Sequence, residues 1–177
     1  IELEQNPSYW GGAPKLERLV FRPLIEEQTR VTELLSGGAD FIVDVPPDNV
    51  DQLKKDVRFT YYGQPGPHIW WVTFNTQKKP FSDVRVRRAL NHAVNREALA
   101  RDILKGTATP AVGPIPPAIT WAFTDQVTKY PYDPERAKKL LGEAGVAGGF
   151  EVRVNPYVQL VAQDGPDVME AVSLDWE

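Results

Sequence analysis

His68 and His92 are the two histidines of the chain, and neither has a second histidine three or four residues away, the spacing that sets a metal pair on one helical face. There is no cysteine, which excludes disulfides, thiolate metal sites and cysteine nucleophiles. A hydrolase would need a nucleophile beside a positioned base, and two isolated histidines supply none. No Gly-x-Ser-x-Gly elbow, Walker loop or dinucleotide glycine fingerprint occurs, and Gly37-Gly38 and Gly148-Gly149 fit helix ends or turns. Asp44 and Asp48 flank Pro46-Pro47 and would pair only through an accident of that turn. Catalysis is not expected, nor is a cofactor.

The residues suited to noncovalent recognition are aromatic. Tyr61, Tyr62, Trp70 and Trp71 flank Gly63-Gln64-Pro65-Gly66-Pro67. Extended neighbours alternate faces, so two readings stand: all four complete a core, or one of each pair faces a cleft. At a cleft an aromatic ring stacks on a sugar or covers apolar peptide groups with little rotamer entropy lost. Beside the bend, His68 has the same two readings, ligand contact or plain strand edge. Arg85, Arg87 and Arg88 form either a solvated helical face or an anion contact or interdomain salt bridge, and His92 is expected on the solvated side of the same helix.

The elements that would position these groups alternate. Residues 15–25 lean to strand, broken by Pro23, and residues 28–36 carry Val31, Leu34 and Leu35 at helical spacing before Gly37-Gly38. Residues 39–43 predict a buried strand stopped by Pro46-Pro47, with Asp48 capping a brief helix through Leu53. Residues 58–62 and 69–74 are further strand candidates on either side of the proline and glycine bend, which marks an interdomain boundary. Val86, Ala89, Leu90, Ala93 and Val94 then trace one face of a helix capped by Ser82 or Asp83. Asn95 caps a second helix over residues 96–105, ended by Gly106. Residues 107–117 are proline-rich and predict an ordered surface loop, of the kind that borders ligands. Asp133-Pro134 opens a third helix with Ala137, Leu140, Leu141 and Ala144 inward and Gly145 at its end, and residues 150–154 restart a strand. This is an α/β rhythm.

Composition agrees. Twenty basic against 24 acidic side chains, a formal charge of -4, give no basic stripe for nucleic acid. No apolar run approaches the roughly 20 residues of a membrane span. The start, Ile1-Glu2-Leu3-Glu4, has neither initiator methionine nor signal features, and it reads as a piece of a longer protein.

Several motifs in fixed succession carry a resemblance. Asn6-Pro7-Ser8-Tyr9-Trp10-Gly11-Gly12-Ala13-Pro14, Leu35-Ser36-Gly37-Gly38-Ala39-Asp40, Phe74-Asn75-Thr76, and Pro80-Phe81-Ser82-Asp83-Val84-Arg85-Val86-Arg87-Arg88-Ala89-Leu90-Asn91-His92-Ala93-Val94-Asn95-Arg96 resemble the family 5 extracellular solute-binding proteins of ABC importers, the dipeptide- and oligopeptide-binding proteins. The helix after Tyr132-Asp133-Pro134 fits too, so the similarity runs from about residue 3 to residue 154, with residues 155–177 departing from it. The resemblance implies a partial type II periplasmic-binding fold, a mixed sheet with flanking helices belonging to portions of two lobes. Residues 1–66 would be part of the first lobe, 67–154 the start of a larger second lobe, and 155–177 an unassigned tail. It implies capture of an oligopeptide, or in some relatives an oligosaccharide or nickel chelate, by lobe closure and delivery to membrane permease subunits. It also implies a periplasmic or extracytoplasmic location, with a lipoprotein anchor open to the full-length parent. A fragment without independent binding is the competing reading. The site expected in this chain comprises Trp71, Trp70, Thr73, His68, Tyr62 and Asn75, with the loop around residues 110–117 at its border.

Overall fold

Glu2–Glu4 (β1) and Arg18–Val20 (β2) pair antiparallel with Leu3 opposite Leu19, and all six residues are exposed. The computed structural model describes residues 1–155 and 164–177, and among these the ladder is the whole of the sheet. Helix α1 (Glu27–Ser36) follows, burying Val31 and Leu34. Gly37 ends it at φ 79°, in the left-handed region that favours glycine, and its N–H and that of Gly38 return to the carbonyls of Leu34 and Glu33.

Residues 39–43 form no strand: Phe41 and Val43 are 76% and 56% exposed. A strand needs a ladder partner, and here the carbonyls are engaged differently. Nε of Arg30 donates to the Val43 carbonyl (3.2 Å) and Nη2 to that of Asp44 (3.0 Å), while Nη1 serves Leu24 and Ile25 (2.9 and 3.0 Å).

The chain divides into two compact units, Ile1–Pro46 and Pro47–Glu177, so the bend at residues 63–67 lies inside the second unit and the division falls at the earlier proline pair. Pro47 opens α2 (Pro47–Lys55), placing Asp48 in the first turn instead of at the cap, and Val50 and Leu53 are buried. The core of this unit lies between α3 (Val84–Ala93) and α5 (Pro134–Glu143), where Ala89 is fully buried against Ala137 and Leu140. Asp83 caps α3 by accepting the Arg85 N–H (2.8 Å), and Asp133 caps α5 by accepting that of Arg136 (2.9 Å).

Asn95 caps α4 (Arg96–Ala98), but the expected single helix widens at once into a π-helix, Leu99–Ile103, where the Leu104 N–H reaches back five residues to Leu99. Gly106, at φ 77°, follows. Finally α6 (Gly165–Trp176) packs on the π-helix and on α3, burying Val172.

Residues 58–62, 69–74 and 150–154 form no strand among the described residues, contrary to the strand expectation, and Arg58 lies in a turn. Their sidedness survives without a ladder: Val152 and Val154 are half-buried while Glu151, Arg153 and Asn155 are exposed.

Candidate functional site

The extended segment around Trp71 is held by one of its own rings. Phe74 stacks on Phe81 (centroids 5.2 Å apart) and tilts against Trp176 (6.2 Å), and Phe81 meets Phe150 edge-on (6.0 Å). Val72 and Phe74 are half-buried, which turns Trp71, Thr73 and Asn75 outward as alternate residues of one face. Trp71 is 73% exposed and Trp70 41%. Asn75 closes the segment with a turn, its Oδ1 accepting the Gln77 N–H and its carbonyl that of Lys78 (both 3.1 Å).

Tyr62 is 82% exposed and His68 is exposed, on the near side of and just past the bend. No ring contact or hydrogen bond joins either to the face of Trp71 among the described residues. Alternation does hold at the tyrosines: Tyr61 is half-buried with Lys54 Nζ 4.9 Å from its ring centre, and Tyr62 is outside. The all-core reading of the four aromatics is therefore wrong for Tyr62, Trp70 and Trp71, and at the tryptophans both members of the pair are exposed instead of one facing the core. A groove of about 310 Å³ belongs to the first unit, lined by Leu3, Glu4, Gln5, Pro14, Lys15, Leu16 and Leu19, and none of the six expected residues contributes to it.

The arginines on α3 are tethers. Arg85 pairs with Asp83 (2.6 Å) and donates to the Glu143 carbonyl at the end of α5 (2.6 Å), while Arg87 donates to the carbonyls of Phe81 and Ser82 (2.7 and 3.3 Å). Arg88 is exposed, as expected. The hydrogen bond from the Arg85 side chain holds the Asp83 carboxyl down to about 2. His92 is half-buried instead of solvated: Nδ1 lies 2.8 Å from the Pro131 carbonyl and the ring meets Tyr130 edge-on. Asp48 pairs with Lys105 (3.9 Å), and no metal-binding group of three or more ligand side chains exists among the described residues.

Reasoning from sequence missed the anchor of the site. Trp176 lies in the stretch left unassigned, yet its Nε1 donates to the Leu90 carbonyl (3.1 Å), and Asp175 accepts the Asn95 N–H (2.8 Å). Val168, Met169, Val172 and Trp176 recur at helical spacing, a signal that could have found α6.

Residues 1–177 match the description "Bacterial extracellular solute-binding proteins, family 5 Middle". Heme-binding protein A of Haemophilus influenzae is 35% identical over 99% of the chain and 32% of its own length. The dipeptide-binding protein of Escherichia coli is 32% identical over 99% of the chain and 33% of its own length. Among solved structures, the dipeptide binding protein of Pseudoalteromonas sp. SM9913 in complex with Met-Leu superposes with a TM-score of 0.82 at 26% identity, covering 99% of this chain and 35% of that one. The chain thus spans about a third of the length of these relatives and carries part of the periplasmic-binding-protein fold. The similarity includes residues 155–177, correcting the expectation that they depart from the family. Matched from its first residue to its last, the chain belongs to family 5 of the bacterial extracellular solute-binding proteins.

Proposed function

We propose that this chain forms part of the extracytoplasmic solute-binding component of an ABC importer, and that the outward face of Trp71, Thr73 and Asn75, with Trp70, is one wall of its peptide site. The observation that carries this is an exposed tryptophan on an anchored extended segment, within a chain similar along its whole length to a dipeptide binding protein. A large, rigid ring in that place covers apolar peptide groups at small entropic cost. Tyr62 and His68 flank the bend at residues 63–67, inside the second unit; they would complete the wall only on closure. A ligand stabilises the closed form by the contacts it makes there and nowhere else, and a permease that recognises closure converts occupancy into delivery. Peptide is favoured over oligosaccharide because similar proteins are named for dipeptides, for glutathione and for a bound nonapeptide.

The test is calorimetric titration with a dipeptide panel led by Met-Leu, on this chain and on the longest translated product that contains it. Binding by the longer product is expected, with Trp71→Ala weakening it by about tenfold, roughly 1.4 kcal/mol, the scale of losing one aromatic contact. Unchanged affinity removes Trp71 from the site, and a longer product that binds no peptide overturns the reading. Weaker or absent binding by this chain alone is expected from a site of which only one wall is present.

A further inference from the structure

The extended segment that carries Trp71, Thr73 and Asn75 has no ladder partner among the described residues, so its conformation depends on side-chain anchors. Phe74 is half-buried, and its ring sits between Phe81, two residues ahead of the Asp83 cap of α3, and Trp176, in the last turn of α6. Both ring separations fall in the range where tilted or offset aromatic pairs are favourable. Trp176 is in turn fixed at its polar end. The last four carbonyls of a helix have no partner within it, and the Trp176 indole N–H supplies one to Leu90 at 3.1 Å. One residue earlier, the Asp175 carboxylate accepts the N–H of Asn95, the residue that caps α4. The end of α6 is therefore bonded to both sides of the α3–α4 junction while its terminal ring touches the segment bearing the exposed tryptophan.

From this geometry we infer that Trp176 is a positioning residue for the Trp71 face: it transmits the rigidity of α3 to residues 71–75 through Phe74, without itself meeting ligand. The inference rests on the peptide-site reading above for its functional consequence, and on the packing alone for its mechanical part. Removal of the Trp176 ring leaves Phe74 supported on one side only, and the segment has no ladder among the described residues to compensate, only the turn closed at Asn75.

Backbone 15N relaxation on this chain tests the mechanical part. Trp176→Ala is expected to lower the order parameters of residues 71–75 from the rigid value of about 0.85 to below about 0.6, with α3 and α5 unchanged. Trp176→Phe keeps a ring against Phe74 and the Asp175 bond, and it should leave the segment ordered. If Trp176→Ala does not fold, Phe74→Leu, which removes the partner ring and leaves α6 intact, must produce the same local loosening. Unaltered order in residues 71–75, or a loss spread equally along α3 and α5, overturns the inference. In the longer product, Met-Leu affinity should fall about tenfold in Trp176→Ala, as when the competent arrangement drops to about a tenth of the population. A loosened segment with native affinity also overturns it. Failure of the native product to bind any peptide, read before a substitution is made, counts against the peptide site instead and leaves the relaxation result to decide the positioning role.

Discussion

Arg96 grips Asn91 twice, donating from Nη2 to its side-chain Oδ1 (2.9 Å) and from Nη1 to its backbone carbonyl (3.0 Å). Nη1 also reaches the Tyr130 carbonyl (3.2 Å), and the next carbonyl of α3, that of His92, accepts the Asp133 N–H (2.8 Å). With the Trp176 indole on Leu90, three consecutive carbonyls at the end of α3 are satisfied by groups from elsewhere in the chain. The helix has no glycine at its end, and Val94 leaves it in an extended conformation, so tertiary donors do what a left-handed cap does at α1.

Arg96→Lys is expected to weaken this junction. A lysine keeps the charge but not the planar fork that addresses Asn91 and Tyr130 together, and burial already lowers the Arg96 pKa, so a more strongly hydrated ammonium is worse placed there. A loss of about 1–3 kcal/mol in urea unfolding follows from leaving these half-buried acceptors unmet. A variant as stable as the native chain refutes the role assigned to the fork.

Arg30 braces the first unit in the same manner. Its guanidinium, 11% exposed, serves four carbonyls on the two segments that flank α1 and pairs with Glu27 at 3.6 Å. Arg30→Met should raise amide exchange in residues 24–26 and 43–45 while the α3–α5 amides stay protected, because the two units hold separate cores. Equal exchange in native and variant would show that the four bonds add nothing.

Leu140→Ala opens a hole beside Ala89 and Ala137, where the neighbours are the small Ala93 and a partly buried Leu141. The expected cost is about 2–4 kcal/mol, within the usual span for a buried leucine. Replacement by methionine, which conserves volume, should cost under about 1.5 kcal/mol. Chemical denaturation of the two variants gives the comparison, and equal costs would mean the site collapses freely.

Acid sensitivity has a predictable origin at the start of α3. The Asp83 carboxyl is held at about 2 in the folded chain, below its ordinary value. A depressed carboxyl contributes stability that is present above the unfolded pKa, about 4, and is lost as pH falls through the folded one. The urea midpoint should therefore fall between pH 4 and about 2. Asp83→Asn retains an acceptor for the Arg85 N–H but no charge, and should flatten that decline, leaving the smaller contributions of Asp56 and Asp102, which Arg58 and Arg101 also lower. Superimposable pH profiles would exclude Asp83 as a source.

Sequence alone was sufficient for the elements whose causes are local. Helices α1, α3 and α5 stand where apolar spacing put them, with Gly37 closing α1, Asp83 capping α3 and Asp133 capping α5, because a helix makes its hydrogen bonds within itself and its caps within a few residues. Alternation from Trp71 to Asn75 has a similar local reason, since it belongs to an extended backbone whether or not it is paired, although it breaks at Trp70, which is exposed beside Trp71. What only the tertiary structure decided is everything that needs a distant partner. Residues 39–43, 58–62, 69–74 and 150–154 have the composition of strands, but a ladder is made by two segments and composition describes one. His92 turned inward because Pro131 and Tyr130 lie over it, and Trp176 became an anchor because Leu90 had a carbonyl to fill and Phe74 a ring to meet. Such pairings join residues dozens of positions apart, and no local periodicity encodes them.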